Sequence, residues 1–198
     1  MTRLVRLYLA SRRTPMAAAA LIMCALVLRA ALSRPWDAYG ALQLPLLFET
    51  ACACVIAVAT ASPFGELERA AGRRLPWLRT GTTTGLVAVA AGALCAAGIG
   101  THLDGGGQSV IRNLAGLTGI GLLCAALLGG ALAWTGPAAY MLIGIYGLYR
   151  QWHGPALDTP WIWPARPPDD VSAALCAGLV LAAGLGAAAV RGSRIRPE

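Results

Sequence analysis

Two residues of opposite charge, Arg29 and Glu49, stand inside stretches that are otherwise apolar. Charge in hydrocarbon is costly, so such residues either neutralise one another or mark a functional site. If a helix leaves one membrane face near Thr14, Arg29 lies about 22 Å up at about 1.5 Å per residue. A helix returning from Ala41 puts Glu49 at about 18 Å in a core about 30 Å thick. The heights match, and an intramembrane ion pair that pins the first two helices together is expected. A substrate or proton site at Glu49 is the alternative chemistry.

Other residue types able to do chemistry are dispersed. Intramembrane phosphotransfer needs clustered Asp, proteolysis a Ser beside a buried His, and thiol redox chemistry a Cys pair near the surface. Asp37, Asp104, Asp158, Asp169 and Asp170 are scattered over outer loops, and His102 and His153 stand at span ends without a carboxylate or Cys pattern around them. The six cysteines (Cys24, Cys52, Cys54, Cys95, Cys124 and Cys176) all lie in apolar runs. Cys52 and Cys54 point about 200° apart on a helix, and the spacings suit neither zinc nor a disulfide framework. No catalytic residue and no metal site is assigned, and packing is the role expected of the thiols.

The elements that must hold these residues are membrane spans. The 198 residues are 57% hydrophobic and 13% charged, with a mean hydropathy of +0.62. An all-α polytopic membrane protein follows. A window of about 20 residues crosses the hydrocarbon as a helix. It finds spans near Met16 to Ser33, Ala41 to Ala61, Thr82 to His102 and Val110 to Trp134, then a short fifth at Pro137 to Tyr149 and a sixth at Val171 to Val190. Arg29 and the polar run after it argue against a cleaved signal peptide in the first span.

All 16 basic residues are Arg, and the net charge is +7. In a membrane protein such charge gathers in cytoplasmic loops, where it also meets anionic lipid, so nucleic acid is not an expected partner. With both termini inside, eleven arginines (3, 6, 12, 13, 69, 73, 74, 79, 191, 194 and 196) face the cytoplasm and five (29, 34, 112, 150 and 166) do not. That split supports a plasma-membrane protein with cytoplasmic termini.

Three segments are not spans. Residues 1–14 set Leu4, Val5 and Leu7 against Arg3, Arg6, Arg12 and Arg13, the pattern of an interfacial amphipathic helix. Residues 62–79, "SPFGELERAAGRRLPWLR", begin with Ser62 as N-cap and Pro63 in the first turn, carry Glu66 and Glu68 early and Arg73 and Arg74 late, and space Phe64, Leu67, Ala71 and Leu75 by threes and fours. A helix of about three turns that Pro76 stops is too short to stand alone, and its acidic residues suit a protein surface better than anionic lipid. Residues 150–170 hold Trp152, Trp161 and Trp163 among five prolines, as expected of an outer segment lying on or dipping into the headgroup layer.

Arg112 and Asn113 open the fourth span from the outer side, where an exposed ion pair or a snorkelling arginine is expected, with a role at the outer mouth as the alternative. Gly178, Ala182 and Gly186 make a small-residue ladder on the sixth span, and Gly116, Gly119, Gly129 and Gly130 thin the fourth. Packing within the chain is the expected use of both, with a subunit interface as the alternative.

The order of these parts resembles the six-helix permease subunit of ABC transporters: "RLVRLYLASRRTP", two spans, "PFGELERAAGRRLP", two spans, the turn "WTGP", a short fifth span, a long broken outer segment and a sixth span. The resemblance is closest to export-type permeases whose ATPase is a separate chain. It implies that Phe64, Glu66, Leu67, Glu68, Arg69, Arg73 and Arg74 form a coupling helix seated on a cytoplasmic ATPase. It also implies a connecting helix in residues 1–14, a re-entrant element in 150–170, and a second permease copy as homodimer or heterodimer. With no Lys the chain has no G-x-x-x-x-G-K-[ST] run, so ATP and Mg would be bound by the partner ATPase and this chain is not itself an enzyme. The function expected is export of an amphiphilic or hydrophobic substrate. The alternatives are a non-catalytic assembly or regulatory subunit holding another soluble partner and, behind it, a membrane-embedded enzyme.

Overall fold

The computed structural model describes residues 14–60, 75–101, 106–153 and 159–191. Among them regular structure is entirely helical: α1 (Thr14–Leu32), α2 (Ala38–Thr60), α3 (Leu75–Gly98), α4 (Gly106–Leu128), α5 (Thr135–His153) and α6 (Val171–Arg191), with 3-10 turns at Gly130–Leu132 and Trp163–Ala165. Six helices are long and apolar enough to cross a membrane, the architecture of a multi-pass membrane protein.

The helix boundaries follow from local chemistry. Asp37 receives the Gly40 backbone N–H at 3.2 Å on its side chain and caps α2. The polar run Thr80 to Thr84 stays inside α3, because Thr80, Thr82 and Thr83 donate their hydroxyls to the carbonyls of Trp77, Leu78 and Arg79. That moves the third span seven residues earlier than its hydropathy suggests. Pro76, expected to stop a helix, stands in the first turn of one, where its missing N–H costs nothing. Residues 75–79 of the anticipated coupling helix are therefore the start of α3.

The fourth span is shorter than expected. Gly129 adopts φ 95°, ψ 165°, which ends α4 at Leu128, and a 3-10 turn follows. The fifth is longer, at 19 residues rather than a stub, because Gly144 and Gly147 lie against other chain segments and do not break the helix.

The helix α4 is the centre of the bundle. It packs on α6 and α2 most extensively and also on α3 and α5, while α1 packs on α3 and α2. Its buried residues run all the way round, from Val110 through Leu114, Leu117 and Leu122 to Ala126. By contrast α1 and α3 bury one stripe each, Ala17, Leu21, Ala25 and Leu28 on the first, Leu86, Ala90, Leu94 and Ala97 on the third. Both stripes step by four, four and three, as two helices sharing a single seam require. Their outward faces, with Ile22, Leu26 and Val89, and those of α5 and α6, with Leu142, Leu175 and Leu179, are apolar and exposed, as lipid contact demands.

Lipid chains are as apolar as leucine, so burial against lipid does not by itself drive helices together, and close approach and polar contacts decide the packing. The closest crossing is at Gly119 and Gly184. A Cβ on Gly119 would stand 2.5 Å from the Val180 carbonyl oxygen, and one on Gly184 would stand 2.6 Å from that of Gly119. The ladder of Gly178, Ala182 and Gly186 does not take part. All three are exposed, and added Cβ atoms at the two glycines would meet nothing within 4 Å among the described residues. Packing within the chain, the use expected of this ladder, is thus corrected: α6 turns Ala173, Ala177 and Gly184 inward instead.

Candidate functional site: a buried polar cluster under the 159–170 segment

Glu49 is the only carboxylate in the six helices, and it is 1% exposed. It lies on the inner face of α2 with Leu46, Ala53 and Ile56 and looks toward α4. The polar groups that face it there are the Asn113 side chain and the Arg112 guanidinium. Cys52, one turn on, is also fully buried.

Arg29 is not its partner. The guanidinium of Arg29 donates to the carbonyls of Ala96 at 3.5 Å and Ile99 at 3.2 Å, at the end of α3. Carbonyls at a helix C-terminus lack intrahelical partners and carry the negative end of the helix dipole, so they are a natural seat for an arginine. The expected Arg29 to Glu49 pair is therefore corrected. Equal height along two helices says nothing about azimuth, and Arg29 turns to α3 while Glu49 turns to α4.

Arg112 departs from expectation as well. It is 5% exposed rather than snorkelling. Its guanidinium donates to the carbonyls of Pro167 at 2.5 Å and Arg166 at 3.0 Å. These carbonyls belong to the segment between α5 and α6, which folds back onto the bundle instead of spreading over it. Hydrogen bonds to a charged group contribute about 1.5–3 kcal/mol each, so two of them anchor the segment firmly.

Five further contacts seat the segment. Tyr140 on α5 donates its hydroxyl to the Trp161 carbonyl at 2.5 Å. Its ring stacks on Trp163, with centroids 4.5 Å apart. The Trp163 indole, 2% exposed, fills the space that the absent side chain of Gly116 leaves on α4. Ile162, also buried, packs on Gly147, and Pro164 on Gly144.

The segment ends in a cap. Asp170 accepts from the Ser172 and Ala173 backbone N–H groups at 2.9 and 3.3 Å and from the Ser172 hydroxyl at 2.6 Å, which starts α6. Its other oxygen accepts from Arg166 Nε at 2.5 Å. The Ser172 hydrogen bond first, and the Arg166 bond after it, hold this carboxyl well below the usual carboxylate range.

The remaining anticipated residues fall in different places. Trp163 is buried in protein rather than lying at the headgroup level, Trp161 is half-exposed, and the side chain of Trp152 lies outside the described residues. Phe64, Glu66, Leu67, Glu68, Arg69, Arg73 and Arg74 also lie outside them, as do residues 1–13, His102, Asp104 and Asp158. His153 is exposed and stacks on Tyr149. All six cysteines are free, and among the described residues no three His, Cys, Asp or Glu side chains gather as metal ligands would.

Sequence reasoning missed Tyr140 and the seating role of Asp170. A tyrosine in an apolar run was the available signal for the first, since a buried phenol needs an acceptor. For the second it was an aspartate followed by a serine ahead of an apolar helix.

No family model matches the chain, and neither a curated protein nor a solved structure does.

Proposed function

We propose that this chain is the permease subunit of an ATP-driven transporter, working as a pair of permease copies on a separate cytoplasmic ABC ATPase and exporting an amphiphilic or hydrophobic substrate. The observation that supports it most is the segment at residues 159–170: between the fifth and sixth membrane-length helices the helical run breaks, and the segment seats Trp163 against α4 and α5. A permease of this kind needs a broken element at that place to close the outer side of the pathway. The 62–79 region supplies the other half of the reading, with charged residues ordered as a capped helix between two spans. On this reading both termini and Phe64 to Arg74 face the cytoplasm of a bacterial plasma membrane, and the 159–170 segment faces outward.

A second reading, an assembly or regulatory subunit, draws on the close packing around α4, whose buried residues lie on every side of it. On the permease reading the pathway lies between two copies. Affinity purification of the full chain in mild detergent, with mass spectrometry of the soluble proteins that accompany it, separates the two. The permease reading expects an ATPase carrying a Walker A motif in equal amount. Recovery of a different soluble partner in its place would favour the assembly subunit.

A further inference from the structure

Among the described residues, four buried polar atoms on three neighbouring elements have no hydrogen-bond partner: Glu49 Oε2 on α2, Arg112 Nε and Asn113 Oδ1 on α4, and Trp163 Nε1 on the 159–170 segment. Their residues are 1, 5, 6 and 2% exposed. They belong to one neighbourhood. Arg112 and Asn113 lie one turn before Gly116, on its side of α4. A Cβ at Gly116 would stand 3.0 Å from Trp163 Nε1, and Glu49 meets Asn113 from across the α2 to α4 seam.

Leaving a buried donor or acceptor unpaired costs about 1–3 kcal/mol, and folded proteins seldom tolerate several together. The set is balanced: two oxygens need donors, and two N–H groups need acceptors. Direct pairing is prevented by where the side chains are tied. Both Nη atoms of Arg112 are held by Pro167 and Arg166, and the indole is held flat between Tyr140 and Gly116. A molecule with two O–H donors and two lone pairs complements such a set.

We propose that Glu49, Asn113, Arg112 and Trp163 form an internal binding site for water, a single molecule or a short chain, occluded by the Trp163 segment. Water there solvates the one carboxylate in the six helices without an ion pair, and the segment that covers it is the same one that Arg112 and Tyr140 hold down. Buried waters of this kind make about three hydrogen bonds each and exchange only when their cover moves. The site rests on packing within one copy and stands whether or not the chain is a permease.

X-ray radiolysis of the full chain in lipid nanodiscs tests it, because bound water then yields hydroxyl radical in place. Oxidation of Trp163 is read by mass spectrometry beside that of the half-exposed Trp161, an internal standard. The site predicts that Trp163 is oxidised comparably to Trp161 under radiolysis yet protected when radicals come from the bulk by photolysis of hydrogen peroxide. Replacing Glu49 and Asn113 together by Leu should lower the radiolytic yield at Trp163 to the level seen under peroxide photolysis, while Glu49→Gln, which keeps the hydrogen-bonding shape, should retain it. Protection of Trp163 under both treatments would overturn the site, and so would labelling under both, which would mean that the segment simply opens to solvent. The two treatments of the native chain decide the matter even if the leucine variant does not fold.

Discussion

The indole of Trp163 lies where the side chain of residue 116 would be: a Cβ on Gly116 would stand 2.6 Å from the indole Cε2. One missing side chain on the central helix thus receives one of the two tryptophans of the segment that folds back onto it. Trp163→Ala should destabilise the protein by about 3–5 kcal/mol, the usual range for a buried aromatic truncated to Ala. Trp161→Ala, at a half-exposed position, should stay within about 0.5 kcal/mol. Unfolding in detergent, followed for both variants under one condition, checks the difference, and equal losses would refute the seating.

Gly119 and Gly178 should respond with opposite signs. Gly119→Ala drives a methyl into the backbone of α6, and overpacking of this kind costs about 1–3 kcal/mol. Gly178→Ala meets open space and should gain up to about 1 kcal/mol from helix propensity. The same unfolding measurement reads both.

Asp170 predicts a dependence on acid. Its folded carboxyl titrates below the ordinary range, through the Ser172 and Arg166 contacts. The contribution it makes is therefore fully present above the unfolded value of about 3.9 and is lost as the pH falls through the lower folded value. Asp170→Asn still caps a helix but cannot titrate. The difference in stability between native and variant should be constant from neutrality to about pH 4 and shrink below it. A difference that stays constant throughout the acid range would contradict the assignment.

Arg29 and Glu49 should be energetically independent. Arg29→Gln removes the donors to Ala96 and Ile99, and Glu49→Gln alters the α2 to α4 seam. In a double-mutant cycle the two effects should add within about 0.5 kcal/mol. A larger coupling energy would restore the ion pair that their matching depths suggest.

What could be read in advance divides along physical lines. Six apolar runs of membrane length are a local property, and the helices lie where hydropathy puts them, with ends moved by Thr back-bonding in α3 and by Gly129 after α4. A lone carboxylate in an apolar run is legible too, and it singles out Glu49. Azimuth is not. Whether Arg29 turns to α2 or α3, and whether Gly178 or Gly184 faces inward, depends on helix rotations set by all neighbours at once. The low and even polarity of these helices leaves little periodicity to show it. Arg112 looked like an interfacial residue because the carbonyls that bury it lie 54 and 55 residues away.

The most direct measurement is the amount of ATPase recovered with the full chain in mild detergent, for the native protein and for a variant with Glu66, Glu68 and Arg73 all changed to Ala. The permease account predicts a Walker A ATPase in equal amount with the native chain, lost from a variant whose unfolding behaviour is unchanged. An ATPase retained in full by that variant, or none recovered with the native chain, would contradict it.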